Sequence, residues 1–188
     1  QEVDSLLYQS DIKVGINLRP LWDKYNFSDD LSAEEVELGY LKKLSVSMNM
    51  LQKKYGKKLS FYFFPMNPDQ FGMSDLTIAY QLAELLDKNV RFSIWEAEPD
   101  IDSVLYFLNQ MSAIVSMRFH GCIFSMTHAK DKLVGLDYQI GKPGKVGQLM
   151  EENGLTSRCV RVDLFDEAEM VGLIDSVVSS NLKILAKC

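Results

Sequence analysis

Short apolar runs alternate with longer amphipathic segments along the chain, and the pattern repeats six times. The short runs span four to six residues each and favour β-structure, which predicts buried strands. The longer segments carry apolar residues at helical spacing between capping residues and glycines, which predicts helices. The predicted strands are Lys13–Leu18, Leu59–Phe64, Val90–Trp95, Ala113–Met117, Leu133–Leu136 and Cys159–Val162.

The clearest helix signal is the sequence Ser32-Ala33-Glu34-Glu35. It is a capping box, in which the serine hydroxyl and the glutamate three residues later satisfy free N–H groups at a helix start. That helix is predicted to run to about Lys54 and to stop at Gly56. The other helices are predicted from Ser74-Asp75 to about Leu86, from Asp100 to Asn109, and over Gly121–His128, Val146–Asn153 and Glu167–Ala186.

Six strand–helix units in series predict a Rossmann-like α/β domain, a parallel sheet with helices on both faces. We assign residues 12–188 to this domain and residues 1–11 to a linker or N-terminal extension. The chain begins with Gln1 rather than Met, so we expect it to be one domain of a longer protein. In the common strand order 3-2-1-4-5-6, strands one and four are neighbours at the switch point where ligands bind. Strand one ends at Arg19 and strand four at Arg118, so we expect both arginines in one crevice.

Residues 116–121, Ser-Met-Arg-Phe-His-Gly, combine an anion-binding and a proton-carrying side chain after strand four. Alternation along an extended chain would send Arg118 and His120 to the same side. Gly121 would let the backbone approach a ligand, and the following helix would point free N–H groups at a bound anion. His120 can donate a proton near neutral pH. The alternative is a histidine that caps the helix or hydrogen-bonds in the core.

Asp137 and Tyr138 follow strand five, so they too are expected at the carboxyl edge of the sheet. A flexible basic loop over residues 141–145 leads into the next helix, and Lys145 is its better ligand candidate. The loop lacks a Walker pattern and no Gly-x-Gly-x-x-Gly follows the first strand, which argues against a classical dinucleotide site. Asp75 is expected in the first turn of a helix rather than in catalysis.

Composition excludes several functional classes. The net charge of −6 argues against a general nucleic-acid binder, which needs a basic face. Residues 117–145 nevertheless hold five basic and two acidic residues, a net charge of +3, which leaves a net charge of −9 for the rest of the chain. A local positive region on an acidic protein suits a small anionic ligand.

The cysteines Cys122, Cys159 and Cys188 are far apart and have no zinc-ligand spacing, so we expect reduced thiols, a cytoplasmic location and no metal. Cys122 falls within an apolar helical run and is expected to be packed rather than reactive. No stretch approaches the roughly 18 apolar residues of a membrane span.

These residues together resemble the polysaccharide pyruvyl transferase family. The resemblance covers most of the chain and is carried by Val14–Pro20 (VGINLRP), Phe64-Pro65, Asp75, Ser116–Gly121 (SMRFHG), Val134–Tyr138 (VGLDY) and Lys145-Val146. It implies the C-terminal half of a two-domain enzyme with GT-B-like architecture. Such enzymes transfer the enolpyruvyl unit of phosphoenolpyruvate to a sugar of a cell-surface glycan, giving a pyruvate ketal. The segment Gln139–Gly144 resembles an insertion, because family members tend to be shorter here.

The resemblance implies phosphoenolpyruvate as donor substrate, a glycan or lipid-linked sugar as acceptor, and no cofactor. It also implies peripheral association with membrane glycan-assembly machinery and a chain that is inactive without its acceptor-binding half. The predicted catalytic residue is His120, and the predicted substrate-binding residues are Arg19, Arg118, Gly121, Asp137, Tyr138 and Lys145. Two alternatives stay open, namely a GT-B glycosyltransferase domain that binds a nucleotide sugar and a non-catalytic scaffold domain of a glycan-assembly complex.

Overall fold

A computed structural model describes residues 7, 10–22, 30–67 and 74–185, with side chains up to residue 181. In this part of the chain six strands form one all-parallel sheet in the order β3-β2-β1-β4-β5-β6, which confirms the predicted order. The strands are Ile12–Asn17 (β1), Leu59–Phe63 (β2), Phe92–Ile94 (β3), Ala113–Ser116 (β4), Leu133–Asp137 (β5) and Cys159–Arg161 (β6).

Helices cover both faces of this sheet, as the Rossmann-like prediction requires. They are Ala33–Tyr55 (α1), Asp75–Leu85 (α2), Ile101–Gln110 (α3), Phe119–Ala129 (α4), Lys145–Glu152 (α5) and Glu167–Leu185 (α6). Helix α1 packs against α2 and α6, whereas α4 packs against α3 and α5. Because parallel strands are joined by right-handed crossovers, the reversal of direction after β3 places these two groups on opposite faces.

Capping residues start the helices where the sequence places them. The Ser32 hydroxyl accepts a hydrogen bond from the Glu35 N–H at 3.2 Å, and the Glu35 carboxylate accepts the Ser32 N–H at 2.8 Å. This confirms the capping box. Ser74 accepts from the Leu76 N–H at the start of α2, and Gly56 ends α1 with a φ of +58° that favours glycine.

The core lies on both faces of the central strands, because helices remove each face from water. The aromatic run of β2 continues to Phe64, and every side chain from Phe61 to Phe64 is completely buried. Phe107 of α3 packs against three aromatic rings, with centroid distances of 6.4 Å to Tyr62, 5.1 Å to Phe64 and 5.6 Å to Trp95. This aromatic packing holds α3 against β2 and the residues that follow β2 and β3.

Helix α4 begins at Phe119, two residues earlier than predicted. The Arg118 N–H donates to the Asn17 side chain at 3.1 Å, so the extended backbone ends at Arg118. The alternation of an extended chain, from which a shared side was predicted for Arg118 and His120, therefore does not reach His120, which already lies in a helix with 3.6 residues per turn.

The other boundaries differ from the predictions by a few residues at most. Strand β3 is three residues long rather than six, and β5 includes Asp137 as its last residue. The predicted helix end at Ala186, the predicted thiol Cys188 and most of the predicted extension 1–11 lie outside the described residues.

Burial of Cys122 and Cys159 predicts unreactive thiols. Cys122 is fully buried, as expected for a packed cysteine, and burial raises the pKa of each thiol to about 12. Only the thiolate reacts with alkylating agents, so iodoacetamide at pH 8 should label both residues far more slowly in the folded chain than in urea. The unfolded thiols ionise near pH 9.0 and lose their protons first, so the free energy of unfolding should fall as the pH rises above about 9. Equal labelling rates in the folded and unfolded chains, mapped by mass spectrometry, would contradict this.

Candidate functional site

The buried side chain of Asn17 joins the exits of three neighbouring strands. Its Nδ2 donates to the Phe64 carbonyl after β2 at 2.9 Å. Its Oδ1 accepts the Arg118 N–H after β4 at 3.1 Å and the Ser116 hydroxyl at 3.2 Å. Because Asn17 ends β1 and Arg19 follows two residues later, these bonds place Arg19 and Arg118 at the same edge of the sheet.

Arg118 forms a bidentate ion pair with Asp75, the first residue of α2. Its Nε donates to Asp75 Oδ1 at 3.0 Å and to Oδ2 at 3.3 Å, and its Nη2 donates to Oδ1. Asp75 is completely buried, and the Arg118 side chain is 18% exposed. The carboxylate also accepts the N–H groups of Met66 and Asn67, each at 3.0 Å. Asp75 therefore ties the exit of β2 to the exit of β4.

Sequence reasoning placed Asp75 correctly in a first turn and missed this partner. The Ser74-Asp75 pattern is fully explained by a helix start. It gives no sign of an arginine 43 residues later in the chain.

Arg19 lies against two aromatic rings. Its Cζ is 4.7 Å from the ring centroid of Tyr138 and 5.4 Å from that of Trp22. Its Nε donates to the Pro20 carbonyl at 3.4 Å, and the residue is only 9% exposed. Such contacts attract the cation electrostatically and fix the plane of the guanidinium. Tyr138, predicted to bind substrate, thus contacts Arg19, and Trp22 is a partner that the sequence did not reveal.

The two arginine side chains run in opposite directions along the carboxyl edge. Arg118 comes from β4 and reaches Asp75 near the exit of β2, beyond β1. Arg19 comes from β1 and reaches Tyr138 after β5, beyond β4. Both side chains therefore cross the boundary between β1 and β4, where the sequence predicts the crevice.

Helix α4 begins directly against these strand ends because Gly121 has no side chain. A Cβ at this position would lie 2.6 Å from Ser116 Oγ and 2.8 Å from Asn17 Oδ1. Arg118 precedes the helix and provides no side-chain cap, so the N–H groups of the first turn point out of the helix without intrahelical acceptors. An anion at this position would also meet the positive end of the helix dipole.

His120 is the second residue of α4 and is exposed. Its ring meets the Phe119 ring edge-on at a centroid distance of 6.1 Å. Within residues 74–185 and the other described ranges, no hydrogen bond holds its imidazole. Neither a helix-capping nor a core hydrogen bond, the two alternatives to a functional role, therefore occupies it in this part of the structure.

Asp137 stabilises its own loop. Its carboxylate is 1% exposed and accepts the Gly144 N–H at 2.7 Å and the Gln139 N–H at 3.4 Å. Burial raises the pKa of Asp137, and the N–H donors of the loop together with Arg161 act in the opposite direction. These bonds close the segment Gln139–Gly144 into a compact turn.

Lys145 begins α5 and is exposed. The described contacts do not bring it to Arg19 or Arg118. Substrate binding by Lys145, Asp137, Tyr138 and Gly121 accordingly stays a prediction. Among the described residues, no group of three His, Cys, Asp or Glu side chains is arranged to hold a metal ion. No described helix is both long and apolar enough to cross a membrane.

A family model for polysaccharide pyruvyl transferase matches residues 21–130, more than half of the chain. The chain belongs to the polysaccharide pyruvyl transferase family. The segment that matches this pyruvyl transferase family contains Asp75, Arg118, His120 and Gly121, whereas Arg19 lies just before it. Asp137, Tyr138 and Lys145 follow it.

Among solved structures, the chain is similar to the N-terminal domain of trehalose-6-phosphate phosphatase from Candida albicans. The two share 8% sequence identity with a TM-score of 0.48. The likeness covers 97% of this chain and 41% of the other, so the chain spans less than half the length of that protein. No curated protein sequence matches the chain at a significant level.

Two glycine substitutions in this chain should change the free energy of unfolding in opposite directions. Gly121→Ala forces the first turn of α4 away from Ser116 and Asn17, so we expect the free energy of unfolding to fall by about 1–3 kcal/mol, typical of overpacking. Gly39→Ala in α1 is the matched control, because its Cβ would meet nothing within 4 Å. That change should raise the free energy by about 0.5–1 kcal/mol. Urea unfolding measures both, and equal stabilisation by the two changes would contradict the close contact at Gly121.

Proposed function

We propose that this chain is the donor-binding part of an enzyme that transfers the pyruvyl unit of phosphoenolpyruvate to a sugar of a cell-surface polysaccharide. The observation that carries the proposal is the position of Arg19 and Arg118 directly after the neighbouring strands β1 and β4, at the switch point and beside the uncapped start of α4. Phosphoenolpyruvate carries a carboxylate and a phosphate, and guanidinium groups bind both with paired N–H donors. Membership of the pyruvyl transferase family supplies the class of reaction.

The residues around the arginines have supporting roles in this proposal. Tyr138 fixes the guanidinium of Arg19, and Asp137 shapes the loop that follows Tyr138. Gly121 brings the N–H groups of α4 to the ligand, and Lys145 offers a further exposed cation at the start of α5. No cofactor is needed, the acceptor is a glycan or lipid-linked sugar, and the enzyme works in the cytoplasm beside membrane glycan-assembly machinery.

The reaction needs an acid and two anion-binding groups. A proton added to C3 of phosphoenolpyruvate turns the methylene into a methyl group and makes C2 electrophilic. A sugar hydroxyl oxygen bonds to C2 and loses its proton. The bond from C2 to the phosphate oxygen then breaks, and phosphate leaves with the electron pair. A second sugar hydroxyl bonds to C2 and loses its proton, which closes the ketal.

His120 is the proposed acid, acting either at C3 or at the departing phosphate. It is exposed in the first turn of α4, two residues after Arg118, and therefore at the end of the helix that faces the proposed anion site. The guanidinium groups and helix N–H donors offset the charge that develops on phosphate as it leaves.

Calorimetry with phosphoenolpyruvate tests the binding step directly. We expect the chain to bind phosphoenolpyruvate and not UDP-sugars. Arg19→Met and Arg118→Met should each weaken binding about tenfold to a hundredfold, the value of a charge-assisted hydrogen bond. Arg158→Met is the matched control, because Arg158 lies next to β6 and donates to the Asp131 carbonyl, and it should bind as the wild type does. Tighter binding of a UDP-sugar would favour a glycosyltransferase, and binding of neither ligand would favour a scaffold.

Replacement of His120 tests the chemical step. In the full-length enzyme, His120→Ala should lower turnover at least about 10²-fold, the low end for general acid–base catalysis, with little change in phosphoenolpyruvate affinity. His128→Ala is the matched control, because the second of the two histidines lies exposed in the last turn of α4. Full activity of the His120→Ala enzyme would remove His120 from the mechanism.

A further inference from the structure

Asp75 occupies one edge of the Arg118 guanidinium and leaves the other edge open. A guanidinium offers two edges with paired N–H donors, one formed by Nε and Nη2 and one formed by Nη1 and Nη2. Nε and Nη2 both donate to Asp75. Within the described residues, no acceptor pairs with Nη1. The open edge is therefore the one formed by Nη1 and Nη2, which still offers a pair of N–H donors.

The Asp75 carboxylate is itself held in place from several sides. It is completely buried and accepts the N–H groups of Met66 and Asn67 at 3.0 Å. Its own N–H donates to the Asn67 carbonyl at 2.9 Å. It also lies in the first turn of α2, where the helix dipole favours a negative charge. A carboxylate fixed in this way sets both the plane and the rotation of the guanidinium that it binds.

We propose that Asp75 is a positioning residue, which turns Arg118 so that its Nη1–Nη2 edge faces the crevice and receives an oxyanion of phosphoenolpyruvate. The inference rests on the proposed function, because the oxyanion is that of the donor. Asp75 also balances the charge of Arg118, so Arg118 recognises the ligand through two directed N–H donors more than through net charge. Lysine could not serve both the carboxylate and the ligand with paired, coplanar donors.

A double-mutant cycle separates positioning from a purely structural role. Phosphoenolpyruvate affinity is measured by calorimetry for the wild type, Asp75→Asn, Arg118→Met and the double variant. We expect Asp75→Asn to weaken binding about tenfold to a hundredfold in the wild type. In the Arg118→Met background it should change affinity by less than about twofold, the usual limit of additivity. Equal weakening in both backgrounds would mean that Asp75 only folds the β2 exit, and it would overturn the proposal.

Asp75→Glu keeps the experiment decisive if Asp75→Asn does not fold. The extra methylene retains the negative charge but moves the guanidinium, so phosphoenolpyruvate should bind more weakly although Arg118 stays paired. Wild-type affinity in Asp75→Glu would show that the orientation of Arg118 does not matter, which overturns the proposal.

Arginine modification by phenylglyoxal provides a readout that needs no phosphoenolpyruvate. Peptide mass spectrometry should show faster modification of Arg118 in Asp75→Asn and an unchanged rate at Arg161. Asp163→Asn is the matched control, because Asp163 likewise accepts from the Nε and Nη2 of an arginine, Arg161, at 3.0 and 2.7 Å. It should accelerate modification of Arg161 alone.

The calorimetric and the phenylglyoxal measurements test the proposed function and the role of Asp75 separately. A wild-type chain that does not bind phosphoenolpyruvate would refute the proposed function. An unchanged modification rate of Arg118 in Asp75→Asn would refute the role of Asp75, whatever the ligand.

Discussion

The amide of Asn17 is the contact on which the geometry of the site depends. Its nitrogen donates to the carbonyl that ends β2, and its oxygen accepts from the backbone and side chain that end β4. Only a side chain with both a donor and an acceptor satisfies these buried groups, and each one left unpaired would cost about 1–3 kcal/mol. Aspartate lacks the donor and leucine lacks both. The position of Arg118 and the early start of α4 follow from this contact.

Two different kinds of interaction hold the two arginine side chains at the sheet edge. Arg118 is balanced by a buried carboxylate, and Arg19 stacks on aromatic rings. A buried ion pair contributes little net stability, because desolvation of both charges opposes their attraction. The pair of Asp75 and Arg118 is better understood as a constraint on geometry, which fixes the direction of the Arg118 N–H donors at the proposed anion site.

Much of the fold was predictable because it depends on local rules. The capping box at Ser32 and the caps at Ser74 and Asp100 are short-range hydrogen bonds, and each begins a helix where the sequence indicates. Repeated strand–helix units restrict the sheet to few orders, and the common order placed β1 beside β4. The position of Arg19 and Arg118 after neighbouring strands followed from that topology without any knowledge of side-chain contacts.

The sequence by itself determined the succession of elements, the parallel sheet and the strand ends that carry the candidate functional side chains. Only the tertiary structure decided what those side chains bind: Asp75 for Arg118, Trp22 and Tyr138 for Arg19, and a backbone loop for Asp137. It also decided that α4 starts at Phe119, because the bond that ends the extended chain comes from a residue 101 positions away. Periodicity and caps report interactions within a few residues. Pairings between distant residues depend on how whole elements pack, which no local pattern encodes.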